Sequence, residues 1–296
     1  RRSRNIGVVL YKDDSAISNQ FYSFVIQGIV NETMEQDYNL LFSHVGSTYT
    51  GLRGLPKIIR EANVAGVLFV SRIYPRMLHD IQETGIPVVV IDPYPSVRDV
   101  TSIQIDNYEG GKVAAEHLIE LGHEHLAFLG KVSDRPSIVQ RAEGFVRTVV
   151  RQGLPFSRRE DIIACSAPTF QEGYIRGSEL LRRKRKLTAI FCGTDLMAAG
   201  LLRATHEQGR SVPADVSVVG FDDITMANYT SPPLTTLSVP KQQMGRRGAA
   251  RLLELIQRRT RKTTKEIVPV ELRVRGSTGA PPAFADARAR VRLVRS

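Results

Sequence analysis

The chain has 296 residues, 42% of them hydrophobic, with 23 Gly, 15 Pro and 2 Cys. That length predicts more than one core, because single cores stop growing beyond about 250–300 residues, and the composition excludes collagen-like, low-complexity and disulfide-framework proteins. The formal charge of +11 is concentrated at the ends, with +3 on residues 1–5 and +3 on residues 282–296, so the remainder is too mildly basic for a nucleic-acid clamp.

No run approaches the roughly 18 apolar residues of a membrane span. The basic start, Arg1-Arg2-Ser3-Arg4-Asn5, is followed by no small-residue cleavage site. The expectation is therefore a cytoplasmic protein without a secretory signal. Cys165 and Cys192 lie in apolar, strand-like runs and read as buried, reduced thiols.

In chain order, short apolar runs at Ile6–Leu10, Leu40–Phe42, Gly66–Val70 and Val88–Ile91 predict strands separated by amphipathic helices. Further runs follow at Leu126–Leu129, Ile162–Cys165, Ala189–Cys192 and Val216–Val219. Continuous Val/Ile/Leu strands alternating with helices describe parallel sheets covered on both faces. Asp106-Asn107 opens a helix that Gly122 ends, and Thr194-Asp195 opens another that Gly209 ends. Asp106 and Asp195 are expected to serve as caps. Residues at such helix starts sit at the carboxyl ends of strands, the edge where ligands bind in open α/β sheets.

About eight such units exceed one ordinary doubly wound sheet and leave a barrel or two lobes open. Three extended segments lack partner helices: Thr101–Ile105, Leu234–Val239, and Glu266–Val274 after a basic helix at 242–259. They predict three crossings between two lobes. After Arg275-Gly276-Ser277 the pattern fades, and residues 278–296 read as a basic, disordered tail.

The order of motifs resembles the regulatory core of the lactose-repressor/galactose-repressor family. The likeness runs from about Asn5 to Ser277. It is carried by Asn5-Ile6-Gly7-Val8-Val9, Gly85-Ile86-Pro87-Val88, Asp106-Asn107-Tyr108-Glu109-Gly110-Gly111 and Arg141-Ala142-Glu143-Gly144-Phe145. Val219-Gly220-Phe221-Asp222-Asp223 and Pro232-Pro233-Leu234-Thr235-Thr236 complete it. The resemblance implies an α/β protein of two Rossmann-like lobes with parallel sheets, joined by three crossover segments, as in type I periplasmic binding proteins. Residues 6–104 with a helix at 241–267 would form the N-terminal lobe. Residues 106–237 with 269–277, including a strand at 269–275, would form the C-terminal lobe. Residues 1–5 would be the remnant of a hinge linker, with a helix-turn-helix head outside this sequence.

The same resemblance implies that a small polar effector, a sugar, polyol or nucleoside, is bound in an inter-lobe cleft without cofactor or metal. Asp92 and Asp222 would be the carboxylates, Arg141 the guanidinium, and Phe21, in the first strand–helix loop, a stacking ring. Thr194 and Ser71 would line the pocket. Thr194 stands where relatives often have Asn, and Val239 where they often have a polar residue. The implied protein is a homodimeric transcriptional repressor whose absent head reads operator DNA, with an exported sugar-binding protein as the alternative. Enzyme signatures such as a P-loop, Gly-x-Ser-x-Gly or His-Glu-x-x-His do not occur, so no catalysis is expected. His123, before a strand, is expected to need only hydrogen bonds.

Overall fold

The computed structural model describes residues 3–11, 20–46, 48–71, 73–93, 99–131, 135–184, 186–258 and 263–282. The chain divides into two compact units, Arg1–Asp106 with Ser238–Glu271, and Asn107–Leu237 with Leu272–Ser296.

In the first unit, β1 (Asn5–Tyr11), α1 (Gln20–Glu35), β2 (Asn39–Val45), α2 (Lys57–Arg60) and β3 (Gly66–Val70) come first. Then follow α3 (Pro75–Glu83), β4 (Val88–Ile91) and β5 (Thr101–Ile105). The second unit holds α4 (Asn107–Glu120), β6 (Leu126–Lys131), α5 (Pro136–Arg151), β7 (Ile162–Ala164) and α6 (Phe170–Arg183). It continues with β8 (Ala189–Cys192), α7 (Asp195–Glu207), β9 (Ser217–Asp222) and β10 (Thr235–Ser238). The chain then returns to the first unit through α8 (Lys241–Arg258) and β11 (Lys265–Val268), before β12 (Glu271–Arg273) joins the second sheet.

The first sheet runs β11-β5-β4-β3-β1-β2 and the second β12-β10-β9-β8-β6-β7, the same permutation twice. Pairing is parallel between β1 and both β2 and β3, and between β6 and both β7 and β8. Strand order therefore reverses beside β1 and beside β6, the switch points where loops diverge and leave a crevice at the carboxyl edge. Burial follows this order. Every residue of β3, β4 and β8 is buried, as two-sided covering requires, whereas the edge strands β2, β7, β11 and β12 are partly exposed.

Several expectations are corrected here. The helix expected at 241–267 stops at Arg258, and Lys265–Val268 pairs in parallel with Ser102–Ile105. Glu266 of that strand accepts from Arg247 (2.6 Å) and Arg251 (3.4 Å), so helix cations are used to seat the edge strand. The strand expected at 269–275 is confined to Glu271–Arg273. The expected tail begins as packed chain: the Thr278 hydroxyl meets His117 Nε2 (3.0 Å) and the Thr235 hydroxyl (3.0 Å), and Gly279 N donates to Ser217 Oγ (3.1 Å). Residues 283–296 of the tail, and Arg1 and Arg2 of the linker, lie outside the described residues.

His123 is buried, with Nδ1 2.9 Å from Thr188 Oγ1 and Nε2 3.0 Å from Ser217 Oγ and 2.9 Å from the Gly279 carbonyl. Both cysteines are free and buried, and burial pushes the Cys165 thiol up to about 12. Among the described residues no helix is long and apolar enough to cross a membrane.

Candidate functional site

Among the described residues, a dense polar arrangement lies at a strand tip of the second unit. Arg141 rises from α5, whose apolar side buries Ile138, Ala142, Phe145 and Val149, and it is itself buried, 4% exposed. Its guanidinium lies 3.6 Å over the Phe221 ring. Nε donates to Asn107 Oδ1 (2.8 Å), and Nη1 donates to the Gly193 carbonyl (2.7 Å) and lies 3.3 Å from Asp222 Oδ1. Arginine offers five N–H donors in a rigid fork. Two of its nitrogens are fixed by protein, and Nη2 makes no hydrogen bond to the described residues. The stacked, buried fork thus has its plane set and one edge open.

Asp222 ends β9 with φ +112° and is followed by Asp223 at φ +52°. Two consecutive non-glycine residues with positive φ are unusual, and such backbone persists only where surroundings hold it. Arg275 holds one side, donating through Nη2 to Asp223 Oδ1 (2.7 Å) and through Nη1 to the Leu234 carbonyl (2.8 Å). The other side is held by Asp195. Its Oδ2 accepts from Ile224 N (2.8 Å) and its Oδ1 from the Thr236 hydroxyl (2.5 Å).

Asp195 is therefore not a helix cap, which corrects the sequence expectation. Thr194 caps α7, its hydroxyl accepting from Met197 N at 3.4 Å. That bond uses a lone pair and leaves the hydroxyl proton for another acceptor. Asp195 is 0% exposed and lies against Gly220, where a Cβ would stand 2.3 Å from Oδ1. Burial, with the neighbouring Asp222 charge, pushes its carboxyl up to about 8.

In the first unit, Ser71 follows β3 with φ +77° and Asp92 follows β4 with φ +56°. Their amides close the strand ends by donating to the Ile91 and Ile103 carbonyls, both at 2.9 Å. Tyr11, the last residue of β1, and Tyr74 meet edge-on with hydroxyls 2.8 Å apart. Phe21 lies in the first turn of α1 rather than in the loop before it, buried and edge-on to Tyr22.

The structure thus brings Arg141 and Asp222 together, and adds Asn107, Phe221 and Asp195, which the sequence did not single out for the site. Asn107 and Asp195 were read as helix-start residues, a signal that cannot distinguish a cap from a side chain turned to a neighbouring helix or loop. An open depression of about 1160 Å³ lies at the opposite, amino edge of this sheet, bordered by His125, Phe156 and Arg159. Its Lys184 is paired with Glu160 and Asp161. Among the described residues no group of three or more His, Cys, Asp or Glu is placed to hold a metal ion.

Paired permuted sheets with polar strand tips define a ligand-binding domain of the periplasmic-binding-protein class, and the "Periplasmic binding protein-like domain" family matches residues 115–278. The chain is 31% identical over 257 residues to the HTH-type transcriptional repressor PurR of Vibrio parahaemolyticus, covering 86% of this chain and 75% of that protein. The solved CelR–cellobiose complex superposes with TM-score 0.80 at 28% identity, covering 94% of this chain and 85% of that one. A LacI family regulator from Enterococcus faecium with bound ribose gives 0.80 at 27% identity, covering 93% and 98%. The chain belongs to the LacI family of transcriptional regulators and is the ligand-sensing core of such a regulator, which decides against the transport-protein alternative.

Proposed function

We propose that this core senses a small sugar, polyol or nucleoside through Arg141 and Asp222, and that effector occupancy governs operator binding by a helix-turn-helix head. The observation that carries the reading is the buried, stacked Arg141 fork with Asn107, Gly193 and Asp222 on two nitrogens and Nη2 open. A fork of this kind donates to hydroxyl or ring oxygens with its orientation already fixed, and a neighbouring carboxylate accepts from hydroxyls. The hydroxyl of Thr194, the tips at Asp92 and Ser71, and Phe21 are proposed as further contacts.

The cellobiose and ribose held by the two solved relatives support the sugar class. The repressor names of the sequence relatives support action on DNA, hence residence in the cytoplasm. Helix-turn-helix heads act in pairs on two-fold operators, which supports a homodimer. The proposed core binds and releases its effector without turnover.

A thermal-shift screen of ribose, cellobiose, polyols and nucleosides tests the reading, since a ligand that binds only the folded state raises Tm. The expected result is a binder whose affinity falls by about 1–3 kcal/mol in Arg141→Ala and in Asp222→Ala. A binder whose Kd is unchanged in both variants overturns the assignment.

A further inference from the structure

We propose that Asp195 is a positioning residue of the effector site, holding the β9 tip so that Asp222 meets Arg141, and that it works as a neutral carboxylic acid. The proposal rests on the effector reading above but is argued from Asp195's own surroundings.

Asp195 is fully buried at the start of α7, directly after the switch-point strand β8. Its two oxygens make the Ile224 N and Thr236 hydroxyl bonds and, among the described residues, no ion pair. Ile224 immediately follows the two positive-φ residues, so the bond to its amide clamps the point where the strained tip rejoins ordinary backbone. Thr236 belongs to β10, so one side chain ties the start of α7 to both the β9 tip and the neighbouring strand.

The charged and titratable groups facing Asp195 are Asp222 and Asp223 from the β9 tip and the buried Cys192 thiol from β8. The nearby cations are already committed, Arg141 to Asp222 and Arg275 to Asp223. A buried carboxylate with no cation and two acidic neighbours is strongly disfavoured as an ion. As an acid it keeps both contacts: Oδ2 accepts from Ile224 N–H, and the Thr236 hydroxyl, which donates to Oδ1 of the ion, turns to accept the acid proton. Neutrality also leaves the Arg141 charge to Asp222 alone, which would otherwise share the field with a second buried anion.

The shift of this carboxyl toward about 8, caused first by burial and then by Asp222, agrees with that picture. Because Asp222 raises it and the Thr236 bond lowers it, the two partners move it in opposite directions.

The test uses the whole chain and no effector, so it stands apart from failure of the ligand assignment. Carboxyl carbon NMR of the wild type is expected to show Asp195 protonated at neutral pH. The titration midpoint should fall by about one pH unit in Asp222→Asn and rise in Thr236→Val. Asp195→Asn should keep the Ile224 amide protected from exchange and leave the Arg141 Nε–H resonance in place. Asp195→Ala should expose that amide and shift the Arg141 resonance; should this variant not fold, Thr236→Val is read instead, with a partial shift expected. Asp195 ionised at about pH 6, well below the midpoint that two acidic neighbours impose, overturns the neutral acid. An Arg141 resonance unmoved in Asp195→Ala, or in its substitute, overturns the positioning role.

Discussion

Arg141 shows how one side chain can be both scaffold and sensor. Phe221 sets its plane, Asn107 and Gly193 set its rotation, and Asp222 sets its electrostatic partner. Lysine keeps the charge but has neither the plane nor the fork. Arg141→Lys is therefore expected to lower stability by about 1–3 kcal/mol, because buried acceptors lose partners. Urea denaturation checks this, and an unchanged midpoint would show that the bonds contribute nothing net.

His123 carries a pH prediction of definite sign. Burial lowers its pKa below the ordinary histidine value, with the Gly279 carbonyl opposing in part. His117, half-buried and also lowered, adds in the same direction. The unfolded chain then binds more protons than the folded one at mildly acid pH. The stabilising contribution is thus complete above the unfolded pKa of about 6.5 and is lost as pH falls toward the folded value. Asp195 has the opposite sign: its raised carboxyl makes the folded state the proton binder, so its contribution falls as pH rises from the unfolded carboxylate range to about 8. Differences between wild type and each of His123→Gln and Asp195→Asn should slope in opposite directions when urea midpoints are followed from about pH 5 to about pH 8. Parallel slopes would refute one of the two assignments.

At the scale of elements, three helix pairs close on reciprocal glycines. Gly28 of α1 and Gly245 of α8 each face the partner's backbone, as do Gly111 of α4 with Gly144 of α5, and Gly173 of α6 with Gly200 of α7. A Cβ on Gly144 would stand 2.0 Å from the Tyr108 carbonyl oxygen, and one on Gly111 would stand 2.0 Å from that of Arg141. This approach carries Asn107, the first residue of α4, within reach of Arg141 on α5. The glycine pair is thus part of the site's construction. Gly144→Ala must push backbone apart and is expected to cost about 3 kcal/mol or more. Gly46→Ala, with nothing within 4 Å of its Cβ, serves as the neutral control. Equal urea midpoints for the two variants would contradict the close approach.

The molecule as a whole is built as two units with separate cores. In the first, Val9, Val67, Phe69, Ile81 and Val90 form one buried cluster. In the second, Phe128, Phe145, Phe191 and Phe221 pack ring against ring at 5.3–6.5 Å. Damage should stay where it is made. Hydrogen exchange is expected to accelerate mainly in the first unit's amides for Gly28→Ala and mainly in the second's for Gly144→Ala. Uniform acceleration by either would mean that the cores unfold as one.

How much of this was legible follows from what each signal depends on. Val88–Ile91 and Ala189–Cys192 announced buried strands because burial on two faces demands continuous apolar residues, and that demand is written locally. Asp92, Asp222 and Arg141 were named for the site only through the resemblance to the repressor family, which apolar patterning does not supply. Thr194 and Asp195 were not separable, because adjacent short polar residues at a helix start look alike until one turns to Met197 N and the other to Ile224 and Thr236. Glu266–Val274 read as extended, but the helix boundary implied at 267 overlapped it, because the start of the strand is fixed by β5 standing beside it. Thr278 and Gly279 read as tail because their bonds to distant residues leave no pattern along the chain. The amino-acid order by itself determined the alternation of strands and helices and the class of fold, since those depend on neighbours in sequence. Only the tertiary structure decided which polar side chains share a site, because hydrogen bonds between residues tens of positions apart are set by packing and by the close approach that glycines permit.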